Sequence, residues 1–261
     1  MKIGLCTSEK ELILLARKVG FDFVEVNASG AVMKDEKYAM LLDLSRELPD
    51  GFMYSCNGLV PGEVLLTGPE ADEEKIREYA EKSFARLASL GVKMLVFGSS
   101  AAKRVPEGFS FDKATEQLVV AMRIFSDEAA KHGQRVCIEP LRYAECNIIN
   151  TLEDSLELAR LIARENVGAH VDYFHLMQNG ERLAKLEGAA KKIMHTHIAS
   201  PCKRSTPKYD DGADYASFFD YLRRGGYDAT VSFEGSFEHT EEEIAEMCTY
   251  LRECSTARTE S

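Results

Sequence analysis

The chain has 261 residues, 45% of them hydrophobic, and a formal net charge of -11. That apolar content can bury the core of one sizeable domain. The charge repels nucleic-acid phosphates and anionic membranes, and no run reaches the ~18 apolar residues of a spanning helix. No charged-then-apolar leader precedes the first strand. Seven scattered cysteines (Cys6, Cys56, Cys137, Cys146, Cys202, Cys248 and Cys254) form no C-x-x-C pair. Such usage fits reduced thiols rather than a disulfide framework or zinc knuckle, and the expectation is a soluble cytoplasmic protein.

In chain order, strand and helix signals alternate. Lys2–Thr7 reads as a strand, and Ser8 with Glu11 as a capping box for a helix ending at Gly20. Phe21–Asn27 is a second strand, Lys34–Leu48 a helix, and Phe52–Val60 a third strand running into a loop with Pro61, Gly62 and Gly68. Glu73–Leu90 follows as a long amphipathic helix with Ile76, Tyr79, Phe84 and Leu87 on its apolar stripe. Val92–Ser99 is strand four and Phe111–His132 the next helix. Val136–Ile138 is an apolar run of the kind a buried parallel strand needs, stopped by Pro140.

The second half repeats the pattern. Thr151 and Asp154 cap a helix through Arg164, and Val167–Tyr173 is strand six. A helix over Glu181–Lys192, strand seven over Ile193–Ala199, a helix over Asp214–Arg224 and strand eight over Ala229–Phe233 follow. Thr240 and Glu243 cap the last helix, and the polar tail over 255–261 is expected to fray. Eight strand–helix units of about 33 residues, the size of a βα repeat, predict a single α/β domain over residues 1–261, a (β/α)8 TIM barrel. A doubly wound open sheet is the alternative, weakened because no glycine fingerprint follows the first strand.

Barrel enzymes place their chemistry at the carboxyl ends of the strands. Strand five ends in Glu139, strand six in Asp172 with His175 three residues on, strand seven carries His195 and His197, and strand eight ends in Glu234. Side chains alternate along a strand, so His195 and His197 share a face and the later one reaches the rim. Three converging buried carboxylates raise one another's pKa unless a cation lies between them. Oxygen-rich donors with one imidazole suit Mn2+, Mg2+ or Co2+ better than a structural zinc. Glu25, at the end of strand two, is read either as a rim residue or as one arm of a salt bridge.

Over nearly its whole length the chain resembles the xylose-isomerase-like barrels, in particular the sugar phosphate isomerases and epimerases that include the ketose 3-epimerases. The family's E-P-L followed by a second Glu matches Glu139, Pro140, Leu141 and Glu145; its D-x-x-H matches Asp172 and His175, its H-x-H matches His195 and His197, and its strand-eight Glu matches Glu234. The resemblance implies a divalent cation, Mn2+ first and Mg2+, Co2+ or Zn2+ after it, held by Glu139, Asp172, His197 and Glu234. It implies Glu139 and Glu234 as the acid–base pair, and Glu145 and His175 as substrate contacts. Asn57, at the end of strand three, is expected as a further substrate contact. The family's arginine falls on Lys203, with Arg204 beside it, so either residue fills that role. The chain departs from the family's E-P-L-N-R-[FY]-E at Arg142, Tyr143 and Ala144, and Asn57 with the Val60-Pro61-Gly62 loop is similar to a less characterised branch.

These residues suit proton movement beside a carbonyl, on a sugar or sugar phosphate, in a chain that is a monomer or a homo-oligomer (dimer or tetramer). A lyase of the inosose-dehydratase type uses the same groups. A non-catalytic subunit of a larger sugar-processing complex is a third reading. A nuclease is disfavoured because only six histidines are present and the charge is strongly negative.

Overall fold

The structure, a computed structural model, describes residues 1–257. Its first half runs β1 (Lys2–Cys6), α1 (Lys10–Val19), β2 (Phe23–Asn27), a π-helical turn (Ala28–Val32), α2 (Asp35–Ser45), β3 (Met53–Asn57), α3 (Glu73–Ser89), β4 (Met94–Phe97), α4 (Ser100–Lys103) and α5 (Phe111–Lys131). The second half runs β5 (Arg135–Ile138), α6 (Leu152–Ile162), β6 (Val167–Asp172), α7 (Tyr173–Gln178), α8 (Lys185–Ala189), β7 (Ile193–Ile198), α9 (Tyr215–Arg224), β8 (Thr230–Phe233) and α10 (Glu241–Thr256). The strands form a closed barrel in sequence order, every neighbouring pair is parallel, and β8 returns to pair with β1. The expected single (β/α)8 barrel is what the chain forms.

Residues such as Leu5, Val24, Leu95, Ile138 and Val231 pack the outside of the sheet against Ile13, Phe84, Phe125 and Leu251 of the helices. Inside the barrel, Met94, Val96 and Cys137 pack with Tyr54 and Met194. Gly4 makes room there, because a Cβ at that position would lie 2.3 Å from the Phe23 ring. The next layer towards the strand carboxyl ends is polar: Glu25, Ser55, His195 and Ser232 are all wholly buried. All seven cysteines are unpaired. Among the described residues no helix is long and apolar enough to cross a membrane.

Several element boundaries differ from the sequence reading, each for a local reason. Ser8 caps no helix: its Oγ accepts from the Asn27 backbone N–H, and Glu9 occupies the cap position without a side-chain bond. The Thr151–Asp154 capping box forms in both directions. At α10 only the Thr240 half forms, because the Glu243 carboxylate instead receives Thr206 Oγ1 and the Glu238 N–H. Strand three stops at Asn57 and strand four at Phe97, where the chain turns into the rim loops. Tyr173 leaves the sheet and starts α7, while the expected Glu181–Lys192 helix shortens to α8 and one 3-10 turn. Residues 255 and 256 of the expected frayed tail belong to α10, and 258–261 lie outside the described residues.

Candidate active site

Four consecutive strands bring their terminal side chains to one point on the rim. One donor atom from each of Glu139, Asp172, His197 and Glu234 lies within 4.8 Å of the other three. Each is placed by its local sequence. Glu139 still donates its backbone N–H to Phe97 (3.0 Å) before Pro140 ends the pairing. Its Oε2 lies over Gly98, where a Cβ would come within 2.1 Å, so only glycine leaves space for this carboxylate.

Asp172 ends β6 and also caps α7. Its Oδ1 accepts from the Phe174 N–H at 2.7 Å, leaving Oδ2 for the site. His197 lies opposite Asp172 in the β6–β7 register and opposite Ser232 in the β7–β8 register. Glu234 follows the last residue of β8, with its N–H on Ile198 O at 3.2 Å.

The buried side-chain nitrogens and oxygens without a hydrogen-bond partner among the described residues, Gln134 Oε1 apart, are Glu139 Oε1, His197 Nδ1, His175 Nε2 and both ring nitrogens of His170. Native proteins leave few such atoms, and these sit together. His197 Nδ1 is 3.4 Å from Glu139 Oε1 and 3.1 Å from Glu234 Oε2. A divalent cation among them would satisfy the orphaned oxygen and nitrogen and relieve the repulsion between the carboxylates. The residues therefore fit a metal by chemistry as well as by spacing.

Charges set the protonation states. Burial lowers the pKa of His197, but the Glu25 and Glu234 carboxylates outweigh it and hold it well above the ordinary histidine value, so this ring favours positive charge, and a cation at Nδ1 would take the place of the second proton. Burial raises that of Glu234, yet His197 and Arg204 bring it down to about 2. Asp172 is raised by burial, with Arg204 and His197 opposing. Arg204 Nη2 bridges Asp172 Oδ2 (3.0 Å) and Glu234 Oε2 (2.5 Å), and its guanidinium lies over the Phe174 ring.

The remaining expected site residues separate. His175 is buried against the cluster, with Nδ1 accepting from the Arg142 N–H at 3.3 Å and Nε2 3.6 Å from Asp172 Oδ2. Burial lowers its pKa to about 4, so it is neutral, and the accepting Nδ1 puts its proton on the unpartnered Nε2. Asn57 donates to Glu234 Oε1 at 2.6 Å. Asn27 holds Asn57 in turn at 3.2 Å, and itself caps the π-helical turn through Gly30 N–H. The Glu145 carboxylate is tied to Arg142 Nε at 2.7 Å. Of the two candidate cations after β7, Arg204 enters the site, while Lys203 is exposed and makes none of its contacts.

Two participants, Lys103 and His170, escape a reading of strand ends, and a third, Glu25, was read there only as a rim residue or one arm of a salt bridge. Lys103, wholly buried at the end of α4, donates Nζ to the Glu139 carbonyl at 2.9 Å, and burial lowers its pKa to about 8. His170 stacks edge-on to His197 with centroids 4.2 Å apart, its Nδ1 3.9 Å from Glu139 Oε1. Glu25 faces into the barrel and bonds both histidines of β7. The alternation Phe23, Glu25, Asn27 was the signal for Glu25; nothing local marked Lys103.

A family model described as the xylose isomerase-like TIM barrel matches residues 13–254. The 2-oxo-tetronate isomerase of Haemophilus influenzae is 31% identical over 134 residues, covering 50% of this chain and 51% of that protein. The chain thus spans about half the length of several relatives that it matches. Two solved structures share the fold. D-psicose 3-epimerase with D-tagatose from Clostridium cellulolyticum H10 superposes with a TM-score of 0.81 at 18% identity, covering 98% of this chain and 100% of that one. The IolI protein with a bound zinc atom superposes with a TM-score of 0.73 at 20% identity, covering 98% of each chain. With a closed eight-stranded barrel and a family match over most of its length, the chain belongs to the xylose isomerase-like TIM barrel family.

Proposed function

We propose that this protein is a divalent-metal-dependent isomerase or epimerase of a small sugar, sugar phosphate or sugar acid. The observation that carries the reading is the group Glu139, Asp172, His197 and Glu234, with Glu139 Oε1 and His197 Nδ1 both buried and unpartnered. The names of the matched relatives support isomerase chemistry over lyase chemistry. When bound, the cation polarises the substrate carbonyl and balances the negative charge that develops as the adjacent C–H proton leaves. The hard, oxygen-rich donor set favours Mn2+, with Mg2+, Co2+ and Zn2+ as alternatives.

The chain's own residues do the rest. Glu139 from β5 and Glu234 from β8 flank the group, and one carboxylate takes the carbon-bound proton while the other returns one from the opposite face. Such acid–base assistance contributes roughly 10²–10⁴-fold. Asn57 and Arg204 hold Glu234 ionised and oriented. His175, a neutral donor at Nε2, binds a substrate oxygen, and Arg204 binds another.

The test is proton NMR in D2O with a panel of ketoses and 2-oxo sugar acids, on Mn2+-loaded, chelator-stripped and Glu234→Gln protein. The reading expects solvent deuterium at the carbon beside the carbonyl and an isomerised product, both lost in the stripped and mutant proteins. Turnover unaffected by stripping contradicts it. Loss of a β-hydroxyl as water moves the assignment to a lyase.

A further inference from the structure

We propose that Glu25, which lies beneath the candidate metal group, is the positioning residue that sets the tautomer of His197 and so aims its Nδ1 lone pair at the cation; this rests on the metal reading above. Glu25 is wholly buried, and its carboxylate receives four hydrogen bonds from three other strands. His197 Nε2 meets Oε1 at 2.8 Å. His195 Nε2, Ser55 Oγ and Ser232 Oγ meet Oε2 at 2.7, 2.7 and 2.9 Å. No lysine or arginine pairs with it among the described residues, so the charge is held by these donors and the two rings.

The protons can be followed one by one. A carboxylate only accepts, so all four partners must donate to it. Both imidazoles therefore carry hydrogen on Nε2. In His195 the remaining Nδ1 accepts from Thr230 Oγ1 at 2.7 Å. In His197 the remaining Nδ1 has no partner and faces Glu139 and Glu234. One carboxylate thus fixes two rings: His195 is satisfied within the barrel, and His197 is left with a single atom turned to the site. A metal-binding histidine that donates its other nitrogen to a carboxylate is oriented and made a better ligand by it.

The surroundings are specialised for this. Barrel interiors are usually filled by branched aliphatic side chains, whereas here two serines and a second histidine occupy that layer, all bonded to the same carboxylate. Glutamine at position 25 would keep the shape but place an amide N–H₂ against one ring, forcing that ring to the other tautomer or leaving two donors face to face.

Two measurements on the purified chain test the assignment. In zinc-loaded, 15N-histidine-labelled protein, NMR is expected to show His197 coordinated through Nδ1 and protonated at Nε2. Titration with Mn2+ is expected to show 10- to 100-fold weaker binding for Glu25→Gln than for wild type. Coordination through Nε2, or wild-type Mn2+ affinity in Glu25→Gln, overturns the proposal. The wild-type NMR result decides the matter alone if Glu25→Gln does not fold. A wild-type chain that binds neither ion overturns the metal reading itself, and the role of Glu25 with it.

Discussion

The two halves of the barrel rim are built differently. The ends of β5–β8 deliver Glu139, Asp172, His197 and Glu234 to one point. The ends of β1–β4 deliver Cys6, Asn27, Asn57 and, one residue beyond β4, Gly98. Those strand-end residues add no charge to the group; they supply space and orientation, while the charges of this half, Glu25 and Lys103, act from beneath and behind it on His197 and on the Glu139 carbonyl. Gly98 leaves the volume that Glu139 occupies, and Asn57 holds Glu234 from across the barrel.

This division can be broken from either side, with effects of graded size. Asp172→Ala removes a donor from the second half and the cap of α7 together; Mn2+ binding is expected to fall by more than about 100-fold, measured by titration with circular dichroism as a check on folding. Gly98→Ala touches only the first half, yet its Cβ would lie 2.1 Å from Glu139 Oε2. A shift of the carboxylate by an ångström predicts about a 10²-fold loss in kcat, with Mn2+ stoichiometry retained. Asn57→Ala deletes one hydrogen bond to a charged group, which is worth roughly 1.5–3 kcal/mol. The expected loss is about 10- to 100-fold in kcat/KM, so an effect as large as that of Asp172→Ala would erase the distinction between the halves. Lys203→Ala, at an exposed side chain beside Arg204, is expected to change stability by less than about 0.5 kcal/mol and activity not at all.

The second half of the rim was legible in the sequence because Glu139, Asp172 and Glu234 each follow an apolar run, the one place where a buried carboxylate has a simple explanation, and His197 is the later member of an H-x-H pair that shares one strand face. The first half was not. Asn57 was read as a substrate contact, whereas its amide is spent on Glu234 and Asn27; Asn27 looks like an ordinary strand-end polar residue until the register pairs the two, and Gly98 carries no side chain to notice. Lys103 lies in a helix of only four residues, too short for a periodic signal, and its contact with the Glu139 carbonyl depends on how β4 and β5 pair. Glu25 was seen at its strand end, but a salt bridge with a basic neighbour remained open for it. The structure gives it two histidines and two serines drawn from strands far apart in sequence. The helix α7 was missed because Asp172 is both strand end and cap, so no turn residue separates the two elements.

The central claim is that four strand ends form one metal site. Elemental analysis of the purified chain, followed by titration of chelator-stripped protein with Mn2+, tests it most directly. The account predicts one equivalent of a divalent ion per chain, restored on titration of wild type and not of Asp172→Ala. A well-folded wild-type chain that carries and takes up no divalent ion would contradict the four-ligand site and the isomerase chemistry built on it.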